Sequence, residues 1–428
     1  MTRDLRDGDN QVLLTAATLR STFLQSGGSG ETRDPPQIVP LFLATPEQLG
    51  EDNPYRGIPA VRFMYRGLRD LTRRLSGHLH ITSWSLDDIL RQYPIDGVVI
   101  SKDYTEYAIQ RNARYHHWCE DYHVPFYEVS NHTLFPLDQY VSRQGTPYQV
   151  FAPFYRRVRD KLAMGEGTPS SEIIIRDHLT TLPGLPLLEI PDDDPSDEGT
   201  RDYGLAILSR LSSWDRYSLD RNKLTFDGTG LAPYHKFGLI SIRETAHAII
   251  THLGYDHELL RQLLWHDYYY AVPPPPERPL EEEWNDDPIG FARWTTGTTG
   301  YPLVDAGMRQ LNATGMIHNR ARMIVANFLT SHMKINWRYG AHYFATHLVD
   351  YDPLINNHSW RDVNNCGVTR HRTEWKFHLR SQAVKYDGLR YIRRWIPELA
   401  TVPDRDVMGW DHSRYQQYGS YYDPLPLP

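Results

Sequence analysis

The sequence predicts an α/β region with parallel strands followed by an all-α region. Three observations carry this: short apolar runs alternate with helical spacing early in the chain, a Pro-, Asp- and Gly-rich stretch breaks the pattern, and the remainder reads as helix almost throughout. At 428 residues the chain exceeds the usual extent of one hydrophobic core, so two domains are expected.

Ile38 to Leu43 and Gly97 to Ile100 are short apolar runs and read as strands. Between them Val61, Met64, Leu68 and Leu71 fall on one helical face, and Phe151 to Leu162 predicts a further helix. Residues 183–200 lack periodicity and are taken as the interdomain linker, with the acidic run Asp192 to Asp197 as its solvated part. From Tyr203 the pattern is helical, punctuated by Gly and Pro and broken at Pro273 to Pro276. The expected organisation is an α/β domain at 1–130, a linker with one helix at 131–200, and a helical domain at 201–428. No internal repeat is evident.

Composition narrows the function. Apolar residues make up 40% and charged residues 23%, and no run approaches ~20 uninterrupted apolar residues, so a membrane protein is not expected. Cys119 and Cys366 make neither a disulfide framework nor a metal site, which fits a reducing compartment. Arg3, Asp4, Arg6, Asp7 and Asp9 precede any apolar run, so secretion is not expected. A net charge of −7 argues against nonspecific coating of nucleic acid, although a local basic face can still bind phosphates. The α/β half lacks a glycine fingerprint after its first visible strand, against a nicotinamide dehydrogenase. His78, His80, His116 and His117 have no carboxylate or cysteine set at ligand spacing, so they read as surface or packing residues.

The most informative segment is Trp284 to Asn357, where tryptophans, arginines and paired asparagines interrupt helices that otherwise look like core. It contains Thr299-Gly-Tyr-Pro-Leu-Val-Asp305, Met308-Arg-Gln-Leu-Asn312, His318-Asn-Arg-Ala-Arg-Met323, Ile335-Asn-Trp-Arg338, Asp350-Tyr-Asp352 and Asn356-Asn357, with Trp360 just beyond. Together with Tyr391 to Leu399, Arg3-Asp-Leu-Arg6, Asp9-Asn10, Asp103-Tyr104, Pro233-Tyr234 and Phe237-Gly238, these strings closely resemble the photolyase/cryptochrome superfamily over nearly the whole chain. Within it they look most like the photolyases of cyclobutane pyrimidine dimers.

The resemblance implies a Rossmann-like antenna domain, a helical domain holding a U-shaped FAD, and light-driven repair of pyrimidine dimers in DNA by a monomer. The enzyme would then work wherever the DNA lies, in cytoplasm or nucleus. Asn356 matches the asparagine facing flavin N5; Arg322 and Asp350 match the pair beside the ring, and Asp352 a second nearby acid. An ordinary interhelical salt bridge is the plainer account of Arg322 and Asp350, and both readings can hold. Trp360, Trp337 and Trp284 match the tryptophans that relay an electron to photoexcited, oxidised flavin. Tyr217, Arg221, Thr229, Gly230 and Leu231 resemble the turn that binds the FAD phosphates, with Ala232 where a hydroxyl is usual.

On the lesion side, Trp265 matches the tryptophan that stacks on an extruded dimer, and Gln262, Asn319, Arg320 and Met323 match other cavity positions. Gln262 stands where enzymes for cyclobutane dimers usually have Glu, yet His318-Asn319-Arg320 resembles the cyclobutane rather than the (6-4) type. Arg370 and Arg372, with His371, Lys376 and Arg380, are candidate phosphate contacts, a solvated charged face being the alternative.

Departures are clear. Asp362 and Met316 replace family tryptophans, and Thr373 to Leu379 replaces a Tyr-Phe-Arg-Ile-Phe-Asn-Pro stretch. The apolar strand that precedes Arg-Asp-Leu-Arg in relatives is missing, which requires an upstream start or a rearranged sheet. Asp103 to Ala108 lacks the polar pair of a folate site, so a second antenna chromophore would be of unknown identity. A blue-light-sensing cryptochrome and a (6-4) photolyase are the rival readings, and a flavin-bearing DNA-binding module without turnover is a third.

Overall fold

The computed structural model describes residues 3–26, 36–170, 175–191, 196–272, 284–363, 378–419 and 421–427. Two compact units interleave along the chain. One comprises Met1–Arg56, Val61–Asp215 and Leu231–Ala271; the other comprises Gly57–Ala60, Arg216–Gly230 and Val272–Pro428. Segments 201–215 and 231–271, which follow the expected linker in sequence, thus pack with the α/β elements.

The first unit opens with helix α1 (Gln11–Ser26), then β1 (Leu41–Leu43), α2 (Ile58–Arg74), β2 (His80–Thr82), α3 (Leu86–Gln92), β3 (Val98–Lys102), α4 (Glu106–Asp121) and β4 (Phe126–Ser130). Met64, Leu68 and Leu71 are buried along α2, as their helical spacing requires. Ser85 and Asp88 form a reciprocal capping box that starts α3, and Thr105 caps α4 by accepting from the Ala108 amide. Leu86, Leu90, Tyr115 and Cys119 join α3 to α4 in a small apolar cluster.

The strands are parallel, but they do not make the single Rossmann-like sheet expected. Leu41 pairs with His80 and Leu43 with Thr82 in one two-stranded sheet, while Val98 pairs with Phe126 and Lys102 with Ser130 in another. No described strand bridges β1 or β2 to β3 or β4. The segment ahead of α1 supplies buried charge instead. Arg6 donates to the carbonyls of Asp9 and Gly238 and to Asn131 Oδ1, at 2.9, 3.0 and 2.5 Å. The Asp9 carboxylate accepts from Ser241 Oγ at 2.5 Å, Arg243 Nε at 2.9 Å and the Ser170 amide at 2.8 Å. Burial, reinforced by Arg243, lowers the Arg6 pKa to about 10. Burial works to raise the Asp9 pKa, but Arg243 and Ser241 hold it below the ordinary carboxylate value.

This unit continues with α5 (Phe151–Ala163), α6 (Arg201–Ser209), the short helix Ala232–Phe237, α7 (Ile242–Leu253) and α8 (Glu258–Ala271). The described parts of the linker, 183–191 and 196–200, contain no helix or strand. Leu188 donates its amide to the Ile81 carbonyl, which lays the linker along β2.

The second unit is helical: α9 (Pro288–Thr296), α10 (Pro302–Thr314), α11 (Asn319–Asn327), α12 (Trp337–His347), α13 (Pro353–Val363), α14 (Leu379–Lys385) and α15 (Gly388–Trp395). Its core includes Trp294, Val304, Leu311, Phe328, Leu329 and Trp360. Each side chain of that size contributes roughly 1.5–3 kcal/mol when fully buried. The Thr299 to Asp305 string is the turn into α10: Asp305 accepts from the Thr299 and Gly300 amides at 2.8 and 2.9 Å and from Thr299 Oγ1 at 2.5 Å. Gly300, at φ +81°, lies where a Cβ would come within 2.5 Å of the Pro424 backbone.

Candidate flavin site and lesion-side platform

In the helical unit the candidate flavin residues gather around the start of α13. Asp352 accepts from the Leu354 and Ile355 amides at 3.0 and 3.1 Å, satisfying donors that the first helical turn would otherwise leave open. Asn356 lies one turn on and donates Nδ2 to the Ala341 carbonyl of α12 at 3.2 Å. Trp360 follows at i+4 on the same face. Two residues ahead of the cap, Asp350 takes both bonds from Arg322 Nη2 at 3.0 and 2.7 Å, while Arg322 Nε donates to the Ile317 carbonyl at 3.0 Å. Asp350 is 9% and Arg322 28% exposed, so this is a partly desolvated ion pair that ties α11 to the entry of α13.

Trp360 is almost fully buried. Its ring stands edge-on to Phe344 (5.1 Å between centroids, 75°) and to Trp294 (6.4 Å, 68°). Gly340 makes room for it, since a Cβ there would lie 2.2 Å from Trp360 Cη2. Trp337 is buried at the start of α12 beneath Arg361, 5.8 Å from its ring centre, and Trp284 packs against the same core. Trp294 is an unanticipated member of the cluster. It lies inside the tryptophan-rich segment, but nothing local separates it from an ordinary core residue.

The expected phosphate turn is held against α11. His318 Nδ1 accepts from the Arg320 amide at 3.0 Å and Nε2 donates to the Arg221 carbonyl at 3.1 Å, which fixes the neutral tautomer. Burial lowers its pKa to about 4, and Arg320 and Arg322 add to the effect. Arg320 Nε donates to Asn222 Oδ1 at 2.9 Å, and its guanidinium lies 5.1 Å from the Tyr386 ring centre. Gly228 and Gly230 both adopt left-handed backbone, at φ +72° and +70°, with open space where a Cβ would be. Thr229 lies between them. Tyr217 begins a one-turn helix, its ring 6.0 Å from Phe226. Leu231 belongs to the other unit, and its side chain is buried. Glycine-bent backbone at Gly228 and Gly230 and the arginines Arg221 and Arg322 are residue types suited to an anionic, ring-bearing cofactor.

Asn319 and Met323 share one face of α11, Asn319 exposed and Met323 half-buried, and Arg320 Nη1 reaches Met323 Sδ at 3.5 Å. Arg370, Arg372, Cys366 and most of the altered 362–380 segment lie outside the described residues; Asp362 is in the last turn of α13.

The lesion-side residues Trp265 and Gln262 sit on α8 in the first unit. Gln262 donates Nε2 to Glu258 Oε1 at 2.8 Å, one turn earlier. Trp265 stacks face to face on Phe151 of α5, with 3.8 Å between centroids and 7° between planes. Sequence reading missed Phe151, which looked like one apolar position of a helix.

Comparison with known proteins divides the chain in sequence order, with α8 falling in the second match. The family description "DNA photolyase" matches residues 1–172, and "FAD binding domain of DNA photolyase" matches 258–424, which defines a flavin-binding protein of the α/β-plus-helical class. The chain is 31% identical to the deoxyribodipyrimidine photo-lyase of Alkalihalophilus pseudofirmus, over 80% of this chain and 78% of that one. It is also 31% identical to the deoxyribodipyrimidine photo-lyase of Synechococcus, over 95% and 89%. The chain belongs to the DNA photolyase family. Among solved structures, an archaeal photolyase from Sulfolobus tokodaii with two FAD molecules aligns over 99% of this chain and 94% of that one, at a TM-score of 0.81 and 28% identity. A Synechocystis cryptochrome, at 22% identity and a TM-score of 0.78 over 99% and 94%, shares the fold. Among the described residues no helix is long and apolar enough to cross a membrane, and no group of His, Cys, Asp and Glu could hold a metal ion.

Proposed function

We propose that the chain is a deoxyribodipyrimidine photo-lyase that splits cyclobutane pyrimidine dimers in DNA under blue light. The observation that carries this reading is the α13 arrangement, in which Asp352, Asn356 and Trp360 follow at one-turn intervals beside the Arg322–Asp350 pair. FAD, when bound, supplies an excited electron that enters the dimer and returns once the cyclobutane bonds have split. The chain's own residues position and tune. Arg322 and Asp350 would hold a fixed charge pair beside the flavin, and Asn356, anchored through Nδ2 to Ala341, would offer its amide to it. Tyr217, Arg221, Thr229, Gly230 and Leu231 hold the phosphate end, and Trp360, Trp337 and Trp284 relay an electron when the flavin is oxidised.

The dimer leaves the duplex, stacks on Trp265, and meets Gln262, Asn319, Arg320 and Met323; Arg370 and Arg372 take DNA phosphates. Region 1–130 carries a second antenna chromophore, 131–200 connects, 201–428 carries FAD, and the protein acts as a monomer wherever the DNA is. The test is repair of a defined cyclobutane thymine dimer by purified protein with reduced FAD, in blue light and in darkness. Light-dependent loss of the dimer is expected. Bound flavin without loss overturns the reading; loss of the (6-4) lesion instead assigns that specificity, and no repair of either favours a light sensor.

A further inference from the structure

We infer that Phe151 is a positioning residue for Trp265, setting the plane of the indole on which an extruded base stacks. This rests on the photolyase reading of Trp265.

Among the side chains through which helices α5 and α8 meet are two pairs, each spaced one turn apart. Phe151 and Tyr155 come from α5, and Trp265 and Arg261 from α8. Phe151 covers the indole face at 3.8 Å and 7°, while the Arg261 guanidinium lies 5.7 Å from the Phe151 ring centre and 5.6 Å from that of Tyr155. The aromatic rings of α8 complete the frame: Tyr268 stands edge-on to Trp265 (5.4 Å, 89°), and Tyr269 is tilted against it (5.6 Å, 36°).

Phe151 is itself over-determined. Tyr268 abuts it edge-on at 5.4 Å and 83°, Tyr155 stacks at 5.9 Å and 26°, and only 4% of its surface is exposed. Trp265, by contrast, is only partly buried. A partly exposed indole clamped on one face has its rotamer chosen before any ligand arrives. A base that stacks on it therefore meets a flat platform without paying the ordering entropy of a mobile aromatic side chain. An aliphatic residue at 151 would fill the volume but would not fix the plane. Phe151 as plain core would affect folding alone; Phe151 as a positioning residue affects selectivity for the lesion.

The experiment measures Kd for matched DNA duplexes with and without one cyclobutane dimer, using wild-type holoenzyme, Phe151→Leu, Phe151→Tyr and Trp265→Leu. Phe151→Leu is expected to reduce the preference for dimer-containing DNA by about three- to tenfold. Its affinity for undamaged DNA should hold, and Phe151→Tyr should restore the preference. Combined with Trp265→Leu, the Leu change at 151 should have no further effect on preference. If Phe151→Leu does not yield folded holoenzyme, Phe151→Met is read in the same way. A wild-type preference that persists in Phe151→Leu or Phe151→Met overturns the positioning role and leaves the photolyase reading standing. Additive effects of the two Leu changes overturn it as well. A wild type with no preference for the dimer overturns both.

Discussion

Gly340→Ala should act on Trp360 from the facing side of α12. The added methyl would lie 2.2 Å from Trp360 Cη2, 2.8 Å from Cζ3 and 2.6 Å from Leu329 Cδ2, all well inside contact distance. Trp360 has little room to yield, since only 2% of it is exposed and Phe344 and Trp294 hold it edge-on. Overpacking of this kind costs roughly 1–3 kcal/mol. Urea unfolding followed through near-UV circular dichroism should show that loss, and photoreduction of oxidised FAD should slow as the indole is displaced. Trp360→Phe supplies the internal control. The smaller ring frees the space the methyl needs, so the double variant should be more stable than the two single changes would sum to. An unchanged unfolding midpoint in Gly340→Ala, or strict additivity with Trp360→Phe, would refute the packing account of this position.

Three further outcomes are expected. Asp350→Asn leaves Arg322 without its carboxylate in a partly buried site; a stability loss of about 3 kcal/mol and reduced FAD retention on gel filtration should follow, and full flavin content would refute the pair's role. Burial lowers the pKa of His235 to about 3 and of His318 and His358 to about 4, the latter two with help from neighbouring arginines. Since the unfolded chain takes up those protons below about pH 6.5, stability should fall as pH drops toward 4, by roughly 1.4 kcal/mol per pH unit for each histidine. His318→Gln should flatten the slope measured by urea titration between pH 6.5 and 4.5. Replacing Arg370 and Arg372 together with Gln should lower affinity for damaged and undamaged DNA alike and reduce the salt dependence by about two phosphate contacts; an unchanged salt slope excludes them as contacts.

What was legible in the sequence was local. The spacing of Met64, Leu68 and Leu71 gave the buried face of α2, and the run Phe151 to Leu162 lies within α5, which spans Phe151–Ala163. Arg322 and Asp350, 28 residues apart, were paired through family resemblance, and the structure brings them together. What depends on distant partners was hidden. Two apolar runs 54 residues apart, Leu43 to Gly97, do not say whether they share a sheet, and here β1 takes β2 while β3 takes β4. Phe151 and Trp265 are 114 residues apart, and their stack follows from how α5 meets α8 rather than from either helix alone. The strings Arg3-Asp-Leu-Arg6 and Asp9-Asn10 stood out by family resemblance alone, because charges are seldom fully buried without partners and no partner is nearby in sequence. Their partners, Asn131, Gly238, Ser241 and Arg243, lie more than a hundred residues on.

That last arrangement bears on biogenesis. A ribosome delivers Arg6 and Asp9 long before Gly238, Ser241 and Arg243, and until those arrive the two charges cannot be desolvated without a penalty of several kcal/mol. The unit to which they belong recruits chain as late as Ala271, so the usual order in which an N-terminal domain closes while the next is being made is not available to it. The buried charges of this unit therefore find their last partners only after more than half of the polypeptide has been made.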